Sequence, residues 1–414
     1  MESIVLLLVV LIIGYISTHF IFSRIQLKYY VPSGVEYVFL GIILGPNFSN
    51  WINSSFKINY LQIINQELLS QISPGLTASI GILGFIYGLN FKFSAISKAE
   101  PEHWRIAFSE ILTSLVLIGL TSFSAFYYFF YNGNNLNELI AAAYALSIVG
   151  ALSSNFIIRT LREKNDSTGV VGDSLHNSSL INSNLNIFIY GLLFGIIHIG
   201  SSKNVFFTSI EWIVISILLA ILIGFLFFIF IGRETDENKL FVAVLGVVLF
   251  TSGIAYYLNF SPLYMNFILG ATLTNVSKVT VNIEKSLKRL SHPLNILIVV
   301  IAGFMWVPAD LHTFLIAVPA FILLRFLSKY IAGYISFHSA YSKEIVTAKI
   351  GNGLMSLDII ACAMVVDYMN VYKNELTPIV VSAILSGVII FNIFGFSFAK
   401  NLLIDVGEIT GEKL

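Results

Sequence analysis

Cysteine is all but absent from this chain. The single Cys362 excludes an internal disulfide and a cysteine-built metal site. Charge is scarce as well: only 11% of the 414 residues are Asp, Glu, Lys or Arg, against about 25% in soluble domains. With 57% hydrophobic residues, the composition excludes a soluble protein and describes a polytopic one whose solvent is the lipid bilayer. Net charge is zero, and no basic tail or patch offers a surface for nucleic acid. The seven histidines show no His-x-x-x-His spacing, and neither a P-loop nor a nucleophile elbow occurs, so the chain does not read as an enzyme and implies no cofactor. A positive n-region is missing before the first apolar run, which is expected to remain as an uncleaved span. The longest non-apolar stretches, 49–72, 161–174 and 277–290, are too short for a soluble core, so residues 1–414 are expected to form a single transmembrane domain.

What is present is a succession of apolar runs bounded by Gly, Pro, Asn and charges. They predict an all-α protein of about thirteen spans: 4–22, 33–48, 75–92, 104–131, 137–160, 175–199, 206–232, 239–259, 262–276, 291–308, 311–336, 345–369 and 377–403. Lys and Arg then fall unequally, with roughly 20 on one set of loops and only Lys57, Lys203 and Lys373 on the other. The positive-inside bias predicts an external N-terminus and a cytoplasmic C-terminus, in a bacterial inner membrane. Thirteen spans divide as six, one and six. An odd linker (206–232) would invert the second repeat (239–403) relative to the first (1–199), an arrangement found in secondary transporters. The fifth and twelfth spans would then correspond. Both are interrupted by small and polar residues, Ser147 to Asn155 in one and Gly351 to Asp358 in the other, as expected of two broken, crossing helices that line a cavity.

The order of segments resembles the monovalent cation:proton antiporter superfamily, of the sodium/hydrogen exchanger type. Val31-Pro32-Ser33-Gly34-Val35-Glu36-Tyr37 with Gly41 to Pro46 is similar to its second helix, and Ile82 to Asn90 to its third. Leu258-Asn259-Phe260-Ser261-Pro262-Leu263 with Phe267 to Gly270, and His292-Pro293-Leu294 with Gly303, resemble two later segments. The working positions differ. The family's fifth-helix Thr-Asp-Pro or Thr-Ser-Pro corresponds to Leu152-Ser153-Ser154, its ion-binding Asp-Asp or Asn-Asp to Asn182-Ser183, and its twelfth-helix Pro-Arg-Gly to Ser356-Leu357-Asp358. The resemblance implies a homodimeric transporter with a moving core of spans four to six and eleven to thirteen, exchanging a monovalent cation for a proton by alternating access.

Exchange requires a group that cation and proton occupy in turn. A buried carboxylate does this, because desolvation favours its neutral form and a bound cation its charged form. Asp358 is read as that group, being the one carboxylate the predicted spans place at mid-membrane, although it could equally cap the second half-helix. Asn182, Ser183, Asn186, Ser153, Ser154 and Asn155 are read as the rest of the ion site, through oxygens that can ligate Na⁺ or K⁺ but cannot carry a proton. Alternatively, the asparagines join helices by hydrogen bonds. Glu110 is placed near a membrane face. Arg325 and Lys329 either counter Asp358 or add to the positive-inside bias, and the second reading is favoured. No other metal is implied. The missing acid pair keeps two alternatives open: a proton-uncoupled transporter of another solute or cation, and a non-transporting sensor or assembly subunit.

Overall fold

The computed structural model describes residues 34–50, 66–133, 135–198, 208–231, 236–276, 280–340 and 346–410. The predicted span 4–22 and the start of the second-helix motif lie outside these residues. All regular structure among the described residues is helical. In chain order the helices used below are α1 (Val35–Leu44), α2 (Gln66–Leu89), α3 (Pro101–Phe130), α4 (Leu136–Ala151), α5 (Asn155–Lys164), α6 (Val170–Ile196) and α7 (Ser209–Ile231). They continue as α8 (Glu237–Tyr257), α9 (Pro262–Val276), α10 (Thr280–Phe304), α11 (Leu311–Ser339), α12 (Ile350–Gly353), α13 (Ile360–Val371) and α14 (Thr377–Asp405). Among the described residues, seven spans are long and apolar enough to cross a membrane, with α4 and α5 taken together as one of them.

Helix positions follow the apolar runs closely, and the two predicted breaks are present. The chain leaves α4 at Leu152 and re-enters a helix at Asn155, and it leaves α12 at Gly353 and re-enters at Ile360. Packing divides the described helices into two groups. In one, α2 lies along α9 and α1 along α10. Close approach there depends on glycine: a Cβ at Gly84 or Gly88 would meet the backbone of Leu263 or Phe267, and one at Gly41 the backbone of Val300. These small-residue repeats are therefore packing seams. In the other group, α3 packs on α6 and α11, α11 on α14, and both broken helices are enclosed.

The helix that carries the asparagines is anchored from far along the chain. No side chain of its own N-cap residue, Gly169, can bond the first amides of α6. Glu408 does so instead, accepting from Val171 N at 2.6 Å and Gly172 N at 2.9 Å. A carboxylate against the orphan amides of a helix start satisfies them and complements the positive end of the helix dipole. Arg162 pairs with Asp173 at 2.7 Å beside this cap.

Candidate functional site

The two breaks meet, and Ser154 N donates to Ser356 O at 3.0 Å to join them. Each break leaves carbonyls that no helix can satisfy. Two cations on α11 supply the donors. Arg325 donates to Met355 O at 2.5 Å, Leu152 O at 2.8 Å and Ser356 O at 3.4 Å, so one guanidinium spans both breaks. Its plane lies over Phe391, 4.2 Å from the ring centre. Lys329 donates to Ala151 O at 2.7 Å. Positive charge at the C-terminal ends of α4 and α12 offsets the negative ends of their dipoles. Both cations are fully buried, midway along a helix that extends to Ser339. This corrects the sequence reading of Arg325 and Lys329 as near-surface charges, and the positive-inside bias rests on the loop residues alone.

Neither cation counters Asp358. Lys329 Nζ lies 2.5 Å from Glu110 Oε1, and both side chains are sealed from solvent. Glu110, read from the sequence as an acid near a membrane face, lies in the third turn of α3 and faces inward onto a buried partner. Its second oxygen accepts from Asn182 Nδ2 at 3.0 Å and Ser153 Oγ at 3.3 Å. Three polar groups, from α11, α6 and the break after α4, thus converge on one acid that sequence reasoning passed over.

Asn182 serves this acid with its amide nitrogen, which also reaches Ala151 O at 3.1 Å. Its oxygen is taken by Asn186 Nδ2 at 2.8 Å, so Asn186 braces Asn182 and does not touch either acid. Ser183 turns the other way. Its hydroxyl reaches Ser153 O at 3.4 Å and also faces Asp358. Asp358 Oδ1 accepts from Ile360 N at 3.3 Å, at the start of α13, and from Tyr87 Oη of α2 at 3.0 Å. It caps a half-helix and touches the other group of helices at once. Glu110, Asp358 and a third carboxylate, Asp367, are all deeply buried, so Asp358 is one of at least three enclosed acids among the described residues.

A cavity of about 600 Å³ opens beside Lys98 and Arg159, at the Lys/Arg-rich end, and runs to Asn90, Asn155 and Asn184. Asn155 lines it at the start of α5, and Asn184 follows Ser183 directly on α6. A lining residue of this vestibule thus follows the Asn182-Ser183 pair directly in the chain. Asn184 and Glu110 carry no motif signal. What could have found Glu110 is its place on an apolar helix with no other charge in the twenty residues that follow.

No curated protein matches the chain. Among solved structures it is similar to the sodium proton antiporter MjNhaP1 from Methanocaldococcus jannaschii, with 15% identity, 99% of each chain covered and a TM-score of 0.67. A second structure of that antiporter, an electron-microscopy map, gives 16% identity, 100% and 99% coverage and a TM-score of 0.55. These likenesses show the shared fold. The family model for the transmembrane part of sodium/hydrogen exchangers matches residues 7–400, and the chain accordingly belongs to the sodium/hydrogen exchanger family of integral membrane cation/proton antiporters.

Proposed function

We propose that this chain exchanges Na⁺ or K⁺ for H⁺ by alternating access, with Asp358 as the group that proton and cation occupy in turn. One observation carries the reading. The two positions at which the family keeps acids hold Asn182 and Ser183, yet each faces a buried carboxylate supplied by a neighbouring segment: Glu110 on one side and Asp358 on the other. The two have different tasks. Glu110 is held by Lys329, Asn182 and Ser153 and acts as a fixed charge. Asp358 has no cationic partner among the contacts above and has the Ser183 hydroxyl beside it.

A desolvated monovalent cation needs several oxygen ligands. The Asp358 carboxylate, Ser183 Oγ and the Ser153 carbonyl form the nucleus of such a set, while Asn155 conducts the ion from the vestibule. Asn182 and Asn186 hold the site's shape. Ser154 contributes through the backbone bond that joins the breaks. The α3–α6 and α11–α14 group is the moving core and the α1–α2 and α8–α10 group the panel by which two copies form a homodimer. The repeats 1–199 and 239–403 flank the 206–232 linker in a bacterial inner membrane, with the N-terminus outside and the C-terminus cytoplasmic.

The test is purified protein in liposomes with a fluorescent proton readout. Na⁺ or K⁺ should drive proton movement in wild type, and Asp358→Asn, which keeps size and hydrogen bonding, should abolish it while the protein stays folded. Ser183→Asp, which returns an acid to the family's position, should retain or strengthen pH-dependent exchange. Coupled exchange at the wild-type rate in Asp358→Asn eliminates the assigned role. Saturable flux that ignores pH would favour an uncoupled transporter, and folded but silent wild type and Ser183→Asp would favour a non-transporting role.

A further inference from the structure

Asp367 belongs to neither centre described so far. It lies on α13 nine residues after Asp358, which at about 1.5 Å per residue puts it roughly 10–14 Å away along the helix. The direction is towards Tyr372 and Lys373, away from the vestibule. The residue is fully buried. Oδ2 accepts from the Ser261 hydroxyl in a short contact, and Oδ1 has no hydrogen-bond partner although it is sealed from solvent. Ser261 in turn accepts from Tyr264 N at 3.1 Å and so caps the start of α9.

The surroundings are oxygen-rich, and among the described residues no cation pairs with Asp367. Tyr190 of α6 stands close enough to Asp367 to interact with its charge, its hydroxyl bonded to Met364 O at 2.7 Å. Tyr372 on α13 is similarly near, its hydroxyl bonded to Ile197 O at 3.1 Å. A buried carboxylate oxygen without a donor is costly unless a proton or cation occupies it for part of the time. The contact also repeats a pattern. Asp358 bonds Tyr87 of α2 and Asp367 bonds Ser261 before α9, so two carboxylates of one segment each hold a hydroxyl of the opposing helix group.

We propose that Asp367 is a second carboxylate site for a proton or a desolvated monovalent cation, on the side of the crossing remote from the vestibule, and that its bond to Ser261 closes that side in the conformation seen here. The inference rests on the exchange reading above, because a closed remote side has a purpose only if access alternates. When the closure parts, Asp367 and Ser261 become the first polar groups that an ion meets from the Lys373 face.

Two measurements on the full-length protein test it. In liposomes with oriented protein, Asp367→Asn should raise the apparent KM for Na⁺ or K⁺ applied to the Lys373 face by about tenfold, with KM from the Lys/Arg-rich face changed less than about twofold. Asp367→Glu should restore part of the difference and guards against a fold defect. A KM unchanged from both faces, or raised equally from both, overturns the site. Separately, Ser261→Cys in a Cys362→Ala background should react with a membrane-impermeant thiol reagent from the Lys373 face alone. Reaction from the other face, or from neither, overturns the closure. The labelling needs no transport, so a wild type that fails to exchange would remove the functional reading while leaving this result to stand or fall by itself.

Discussion

Glu110 and Asp358 are both buried acids that face the same short stretch of α6, and they are held in opposite ways. Glu110 has an ammonium on one oxygen and an amide and a hydroxyl on the other, all from within one helix group. Asp358 accepts from one backbone amide of its own segment and from Tyr87 across the boundary between the groups. A charge enclosed by strong partners of fixed geometry is a structural element, because any displaced partner leaves an uncompensated ion in low dielectric. A carboxylate held only by neutral partners can exchange them for a proton or cation. On the proposed reading, Asn182 and Ser183 in place of the family's acids separate two duties that one pair of acids could share: balancing the α11 cations, and binding the transported ion.

The largest effect should follow from breaking the Glu110 centre. Lys329→Met strands Glu110 and takes one of two donors from the Ala151 carbonyl, and a buried pair broken on one side costs about 3–5 kcal/mol. Thermal unfolding of the purified protein should show this as a large drop or as failure to fold. Glu110→Gln/Lys329→Met removes both charges and should recover part of the loss. If Lys329→Met unfolds like wild type, the pair is not structural, and Glu110 becomes a rival to Asp358 as the exchanging group.

An intermediate effect is expected at Asn182. Asn182→Leu removes donors from Glu110 and from the Ala151 carbonyl and takes from Asn186 one of its two acceptors, the other being the Asn182 backbone carbonyl. The stability loss should be about 1–3 kcal/mol, as for buried polar groups left unsatisfied. Cation affinity measured in the surviving folded fraction should change less than stability does. Abolished exchange with unchanged unfolding would make Asn182 a ligand after all, and its bond to Glu110 incidental.

These two centres also show what the sequence could convey. The spans were legible because bilayer thickness imposes long apolar runs, and the breaks because Ser153, Ser154, Gly351 and Gly353 are poor company for a continuous helix in hydrocarbon. The vestibule residue Asn155 and the cap at Asp358 followed from the same reasoning. Glu110 did not, since its position near the start of an apolar run reads as interfacial and its partner lies 219 residues away. Arg325 and Lys329 were credited to a loop-charge rule because the predicted span ended at 336. In the structure both are fully buried, and the carbonyls they bond come from the two breaks, whose residues are far away in the chain. Asp367 was passed over for a related reason: it stands near the end of its predicted span, yet α9 and α6 cover it. Burial by a distant helix leaves no trace in local composition.

The smallest change is the most discriminating, and it sets one hydroxyl at each centre against the other. Tyr87→Phe removes a single donor to Asp358, and Ser153→Ala a single donor to Glu110. Each should cost stability only about 0.5–1.5 kcal/mol, the net worth of one hydrogen bond. Their functional consequences should diverge. The Tyr87 bond joins the two helix groups, so it must break whenever one moves past the other, and its loss should alter the turnover rate and the apparent cation KM together. The Ser153 bond lies within one group and persists through such a movement, so Ser153→Ala should leave both parameters within about twofold of wild type. The comparison is read from initial rates of cation-driven proton movement over a range of cation concentrations, with unfolding measured on the same preparations. Equal functional effects at equal stability cost would mean that the two acids are not divided as argued, and that the boundary between the helix groups is not where movement occurs.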